Sequence, residues 1–167
     1  YRGETIRATT SFLMADSTTP DGDYIKPQTN PTNTDCWNGK AYTPLNQLTP
    51  GRTKYGTNNN VRIFRYADVL LMNAEAKIKN GKSGDAPFNE VRRRAQMPEL
   101  TNVTFEQVID ERRMELVCEW GERYNDLVRT GLAKTELKGW SEDKALLPLP
   151  FNQYTQIPDL LKEPKDE

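Results

Sequence analysis

Ala67, Leu71, Ala74 and Ile78 recur at steps of four, three and four residues, which places them along one side of an α-helix. Nothing else in the chain constrains the fold as tightly, because such a stripe has to be covered by another element. It opens a stretch, 61–130, that holds only two prolines and balances 12 basic against 12 acidic residues. Three helices are predicted there. The first runs from about 64 to 80 and stops at Asn80-Gly81. The second starts after Asp85 as its N-cap, tolerates Pro87 in its first turn, buries Phe88, Val91 and Ala95, and ends before Pro98. The third opens on the capping-box pattern of Thr104 and Gln107 and runs through Phe105, Val108, Ile109, Leu116 and Trp120 to about Gly121. A shorter helix is expected from 122 to 129. The first two helices are joined by a short turn and have opposed apolar faces, which makes a hairpin like one tetratricopeptide unit. Such a unit normally stacks on neighbours, and the sequence contains no second copy.

The flanks differ in kind. Residues 1–60 contain 12 Thr, 7 Asn, 5 Pro and 5 Gly, the chemistry of turns and loops. Short strands are expected in "TIRATTSFLM" and "GRTKYG". Residues 131–167, with "LLPLPFNQYTQIPDLL", lack sustained periodicity and are expected to run as an extended strap. The fold class is therefore mainly α: a tetratricopeptide-like hairpin with further helices, a loop-rich N-terminal stretch with a few short strands, and an extended tail.

Several function classes are disfavoured by composition. The net charge of −1 over 167 residues gives no basic excess for nucleic acid or an anionic membrane. No run of about 18 apolar residues is present to span a bilayer. The opening "YRGETIRATT" has no signal-peptide character and resembles mid-protein sequence. Cys36 and Cys118 form no metal or redox spacing, and they indicate no compartment. Histidine is absent, which removes the usual base of a nucleophile triad and the common zinc ligand sets. No metal and no cofactor are expected. At 35% hydrophobic residues the chain is polar for a free-standing globule, which points to abundant loop or to packing surface shared with something else.

Charge concentrates beside the buried stripes. Asp68 and Glu75 flank the first helix's apolar line, and Arg112 and Arg113 fall where the third helix's line should continue; Glu111, Glu115 and Glu119 repeat every four residues. Asp68, Glu75, Arg112, Arg113 and Glu115 are expected to form interhelical ion pairs, with arginine stems covering apolar surface. A pair of acids doing glycosidase-like chemistry is the competing reading. It is weaker, because a catalytic acid needs a raised pKa and a neighbouring arginine lowers it. The Arg92–Arg94 run could be read as a phosphate patch, but it spreads over about 200° of helix and makes no single basic face, so these arginines are expected to be solvated or ion-paired. Trp120 and Tyr124, four apart, are expected to fill core.

Trp37, in "TDCWNGKAY", lies outside any amphipathic period and beside Asp35, Asn38 and Tyr42. Rings flanked by amides and carboxylates suit a sugar, whose C–H face lies on the ring while polar groups take the hydroxyls. The alternative is that Trp37 plugs the loop against the helices. Asp35, Trp37, Asn38 and Tyr42 are the candidate ligand-binding residues.

"RYADVLLMNAEAKIKNG", "FNEVRRRAQMPELTNVTFEQVIDERRMELVCEWGERYNDLVRTG" and "LLPLPFNQ" closely resemble the C-terminal part of the SusD/RagB family, in that family's order and spacing, from about Lys54 to Leu161. Residues 1–50 match loosely, and Asn73 stands where the family favours a bulky residue. The resemblance implies non-enzymatic lipoproteins on the outer face of the outer membrane. It implies that they bind glycans, or in some cases peptides, above a SusC-like TonB-dependent transporter. Family members are several hundred residues long. The chain is therefore expected to be the C-terminal portion, one domain with a loop region (1–60), a helical core (61–130) and an extended tail (131–167). Membrane attachment is expected only through an N-terminal lipid anchor absent from this sequence. A protein-interaction scaffold without carbohydrate binding is the alternative function.

Overall fold

The computed structural model describes residues 4–27, 35–50, 60, 62–120, 122–146 and 150–156. It divides into two units, 1–125 and 126–167.

The first unit opens with helix α1 (Thr5–Ser11), which runs into strand β1 (Phe12–Met14). Thr-rich "TIRATTSFLM" is thus mostly helix where a strand was expected. Thr9 and Thr10 donate their hydroxyls to the Ile6 carbonyl at 3.2 and 2.8 Å, so they satisfy themselves within the helix. The buried Arg7 fixes the helix by reaching acids more than a hundred residues away. Tertiary pairing overrides a weak local preference. The other expected strand, "GRTKYG", lies outside the described residues.

Strand β2 (Ser17–Thr18) pairs antiparallel with β3 (Tyr24–Ile25), and β4 (Cys36–Asn38) pairs antiparallel with β1 in the register Phe12↔Asn38, Leu13↔Trp37, Met14↔Cys36. A 3₁₀ turn (Gly39–Ala41) follows β4. Gly39 is required there: a Cβ would sit 2.6 Å from the Thr10 carbonyl oxygen, so only glycine lets the turn lie against α1.

Helix α2 (Tyr66–Lys79) and helix α3 (Asp85–Arg94) form the hairpin, and helix α4 (Phe105–Glu115) lies across α2. Their apolar faces meet in a core of Leu71, Ala74, Phe88, Val91, Val103 and Val108. Burying Phe88 and Leu71 alone contributes about 2–3 kcal/mol each. Asp85 is the first residue of α3 and not its cap. Its carboxylate accepts from the Asn102 and Val103 backbone N–H groups at 3.0 and 2.9 Å, which ties the loop before α4 to the start of α3. Those two donors hold its carboxyl below the usual range. Asn89 fastens the same loop, exchanging two hydrogen bonds with the backbone of Leu100 at 2.8 and 2.9 Å. The capping box of Thr104 and Gln107 is formed.

Helix α4 ends at Glu115, a turn and a half short of the expected Gly121. Leu116 caps it, and Cys118 takes a left-handed backbone (φ 64°), so the chain leaves the helix before Trp120. Both cysteines are free thiols.

Helix α5 (Glu122–Arg129) carries the chain across the division between the units. The second unit adds helix α6 (Ala133–Glu136), a 3₁₀ turn (Glu142–Ala145) and helix α7 (Phe151–Gln156). The described part of the tail is therefore a series of short helical turns and not extended throughout. Leu127 and Ala133 are its buried apolar side chains. No described helix is long and apolar enough to cross a membrane.

Candidate functional site

Helix α4 turns an unusual face inward. Val108, Glu111, Arg112 and Glu115 stand at i, i+3, i+4 and i+7, and all four are buried. The stripe begins apolar and then becomes charged, so its last turn has to be satisfied by ions. Arg112 donates to Asp68 of α2 at 2.6 Å, with both side chains buried. Glu111 accepts from Arg7 of α1 and from Arg92 of α3, the latter at 2.7 Å. Glu115 accepts from Arg7 at 3.0 Å, from Arg65 at 2.9 Å and from Arg94. The residues of the Arg92–Arg94 run each meet a different acid, Arg93 pairing with Glu99 on the surface.

Burial pushes the Glu115 carboxyl up, and the charges and hydrogen bonds of Arg94, Arg65 and Arg7 more than reverse this, leaving its pKa below the ordinary 4.5. Burial likewise opposes the charge on Arg7, and Glu111, Glu4 and Glu115 outweigh it. Of the five residues expected in ion pairs, Asp68, Arg112 and Glu115 lie in this network. Glu75 meets Lys79 of its own helix at 3.3 Å. Arg113 departs from expectation: it is exposed and forms no ion pair among the described residues. One step of 100° from Arg112 carries it off the inward face.

Above the network lies a cleft of about 690 Å³. Its wall on one side is α1 and the 3₁₀ turn; on the other stand the chain before α2, the end of α3 and the loop after α4. Asn38 ties the walls together. Its side-chain oxygen accepts from Lys40 N at 2.9 Å, and its amide donates to the Cys118 carbonyl at 2.8 Å. Lys40 reaches across to Glu119 at 2.7 Å, and Arg65 reaches the same carboxylate from the opposite side at 2.7 Å. The loop after α4 is thereby clamped from two directions.

Trp120 sits on that loop. Its Nε1 donates to the Arg62 carbonyl at 2.6 Å, yet the residue is 65% exposed. It borders the cleft and a second hollow of about 480 Å³. The expectation that Trp120 fills core is overturned, because the helix that would have turned it inward has already ended. An indole pinned by its N–H and bare on its ring is a rigid stacking platform. Tyr124 is half-buried.

Among the four candidates from the sequence, Asn38 and Tyr42 line the cleft. Trp37 does not; it is half-buried, and strand alternation sends it to the opposite side from Asn38. Asp35 is exposed, does not line the cleft, and its carbonyl accepts from Ala15 N at 2.9 Å. The Tyr42 hydroxyl donates to Asp23 and lies 3.2 Å from Thr19, so its polar end is already engaged within the protein. Sequence reasoning missed Arg7, Lys40 and Arg65, whose roles depend on distant partners, and misplaced Trp120, whose exposure depends on an unsignalled helix end; Arg94 is ion-paired as expected of its run. Among the described residues no group of three His, Cys, Asp or Glu is placed to hold a metal.

A family model described as the SusD family matches residues 2–159. The SusD-like protein P38 of Formosa agariphila is 33% identical over 119 residues, covering 60% of this chain and 24% of that protein. Starch-binding protein SusD of Bacteroides thetaiotaomicron is 36% identical over 81 residues, 48% of this chain and 14% of that protein. Among solved structures, surface glycan-binding protein A from Bacteroides thetaiotaomicron superposes with a TM-score of 0.68 at 32% identity, covering 86% of this chain and 33% of its own. The chain thus spans about a quarter of the length of the first of these relatives.

Proposed function

The chain belongs to the SusD family, and from that premise we propose that it is part of a non-catalytic glycan-binding protein of the outer-membrane surface, one that captures oligosaccharide and passes it to a SusC-like TonB-dependent transporter. In this reading 1–167 is a C-terminal portion of the binding domain, and the protein is held at the membrane by a lipid anchor. The names of the relatives, one starch-binding and one a surface glycan-binding protein, support a carbohydrate ligand.

The observation that carries the proposal is the Trp120 ring, fixed by its N–H and open at the mouth of the cleft. A pyranose would lay its C–H face on that ring, with Tyr42 and the turn after Asn38 lining the same cleft. The acids of the cleft suit binding better than hydrolysis. Glu115, buried beneath the cleft, is held by Arg7, Arg65 and Arg94, which keep its carboxyl below the ordinary range and remove a proton donor, and Glu119 is tied up in ion pairs with Lys40 and Arg65. Isothermal titration of the intact protein against a glycan panel tests this. Trp120→Ala is expected to weaken binding at least about tenfold while Trp37→Ala has a small effect. Absence of binding to every glycan, or an unchanged affinity in Trp120→Ala, refutes the assignment.

A protein-contact role is favoured by a different observation. Ile63, Phe64, Tyr66, Val69 and Met72 are all exposed along the outer side of α2 and the residues before it. Retention of a protein partner by a pull-down, with no carbohydrate bound, would favour that reading over glycan capture.

A further inference from the structure

The cleft carries more positive charge than its own acids neutralise. Arg7, Lys40, Arg65, Arg92 and Arg94 share four carboxylates, those of Glu4, Glu111, Glu115 and Glu119. Arg62 adds a further cation to the lining and meets no acid among the described residues. Set against the exposed Glu90, which lies with Arg62 and Arg94 on an adjoining hollow, one positive charge is left over at a site whose chain as a whole is net −1. The surplus has a location. Arg62, Arg65 and Arg94 line both the cleft and an adjoining hollow of about 490 Å³. Arg94 is 62% exposed and gives one donor, Nη2, to Glu115, from a group that has five. Arg62 is exposed, and its own carbonyl is the group that anchors the Trp120 indole. A stacking ring and two accessible guanidinium groups therefore border one cavity.

We propose that this cleft selects an anionic glycan, with the Trp120 ring taking the face of a sugar and Arg62 and Arg94 taking a carboxylate or sulfate on it. The inference rests on the glycan-binding reading and narrows it to a ligand class. A guanidinium fork matches the paired oxygens of a carboxylate or sulfate and discriminates against the neutral sugar of the same shape. The attraction is between exposed groups, so it weakens as salt is added.

The test is a glycan array probed with the intact protein, carrying uronate-bearing glycans beside their methyl esters and sulfated glycans beside their desulfated counterparts. Titration of the best binders follows. The expected result is that an acidic glycan binds about tenfold or more tightly than its neutral counterpart and loses that margin as salt is raised. Whether ester formation or desulfation abolishes the margin identifies the charged group. The double variant Arg62→Gln/Arg94→Gln should lose the margin, so that it binds the acidic glycan no more tightly than the neutral counterpart. Lysine at both positions should restore part of it. Should the double variant melt early, Arg62→Gln alone serves, since Arg62 lies outside the ion-pair network. Equal binding of acidic and neutral glycans, or a margin that survives in the variant, overturns the inference and leaves glycan binding standing. Absence of any bound glycan overturns both.

Discussion

Asp68 and Arg112 form an ion pair between two helices inside the protein. Both side chains are buried, and the 2.6 Å contact joins α2 to α4. Taking two ions out of water is costly, so the pair adds little net stability, whereas removing Asp68 takes away the close buried partner of Arg112 and leaves it the longer contact with Glu122 at 3.5 Å. Asp68→Ala is expected to destabilise the protein by about 2–3 kcal/mol, measured by urea unfolding, and replacing both residues with apolar ones of similar volume should recover most of that. At this scale the sequence was informative but incomplete. It placed acids and arginines beside the buried stripes, and the residue types argued for pairing. It could not choose partners: Glu75 pairs along its own helix, Arg113 faces solvent, and Arg7 comes from a segment expected to be strand.

Among the elements, the α2–α3 hairpin depends on Gly84. A Cβ there would lie 2.9 Å from the Ala74 carbonyl oxygen and 2.9 Å from two carbons of Ile78. The Ile78 side chain can shift; the Ala74 backbone sits mid-helix and cannot. Gly84→Ala is expected to cost about 1–3 kcal/mol as overpacking, seen as a lower urea midpoint with an unchanged m-value. The start and stop of α2, the capping box of α4 and the apolar face of α3 were legible because each is a local pattern a few residues long. The end of α4 was not. The 3.6-residue period continues to Trp120, and nothing local announces the left-handed Cys118. Clamping of that loop by Lys40, Arg65 and Asn38, all distant in sequence, keeps it outside the helix.

For the molecule as a whole, acid should be the condition that undoes it. The Glu115 carboxyl is held below its ordinary 4.5, so its ion pairs contribute stability that is fully present above that value and is lost as pH falls through the lowered one. The melting temperature is expected to fall as pH drops below about 4.5. Glu115→Gln should melt lower at neutral pH and show a shallower loss in acid, because the titrating group is gone. A variant with the same acid slope as the unsubstituted protein would show that other carboxylates govern the transition. The sequence by itself determined α2 and α3, the capping box that starts α4, the apolar core of α2 and α3 and the family, since these are written in local periodicity and in motifs read along one chain. Tertiary structure alone decided α1, the pairing of Arg7 with Glu111 and Glu115, and the exposed Trp120 over a cationic cleft. The physical reason is separation: those features rest on contacts between residues 50 to more than 100 positions apart, whose energies outweigh local preference only once the chain has folded.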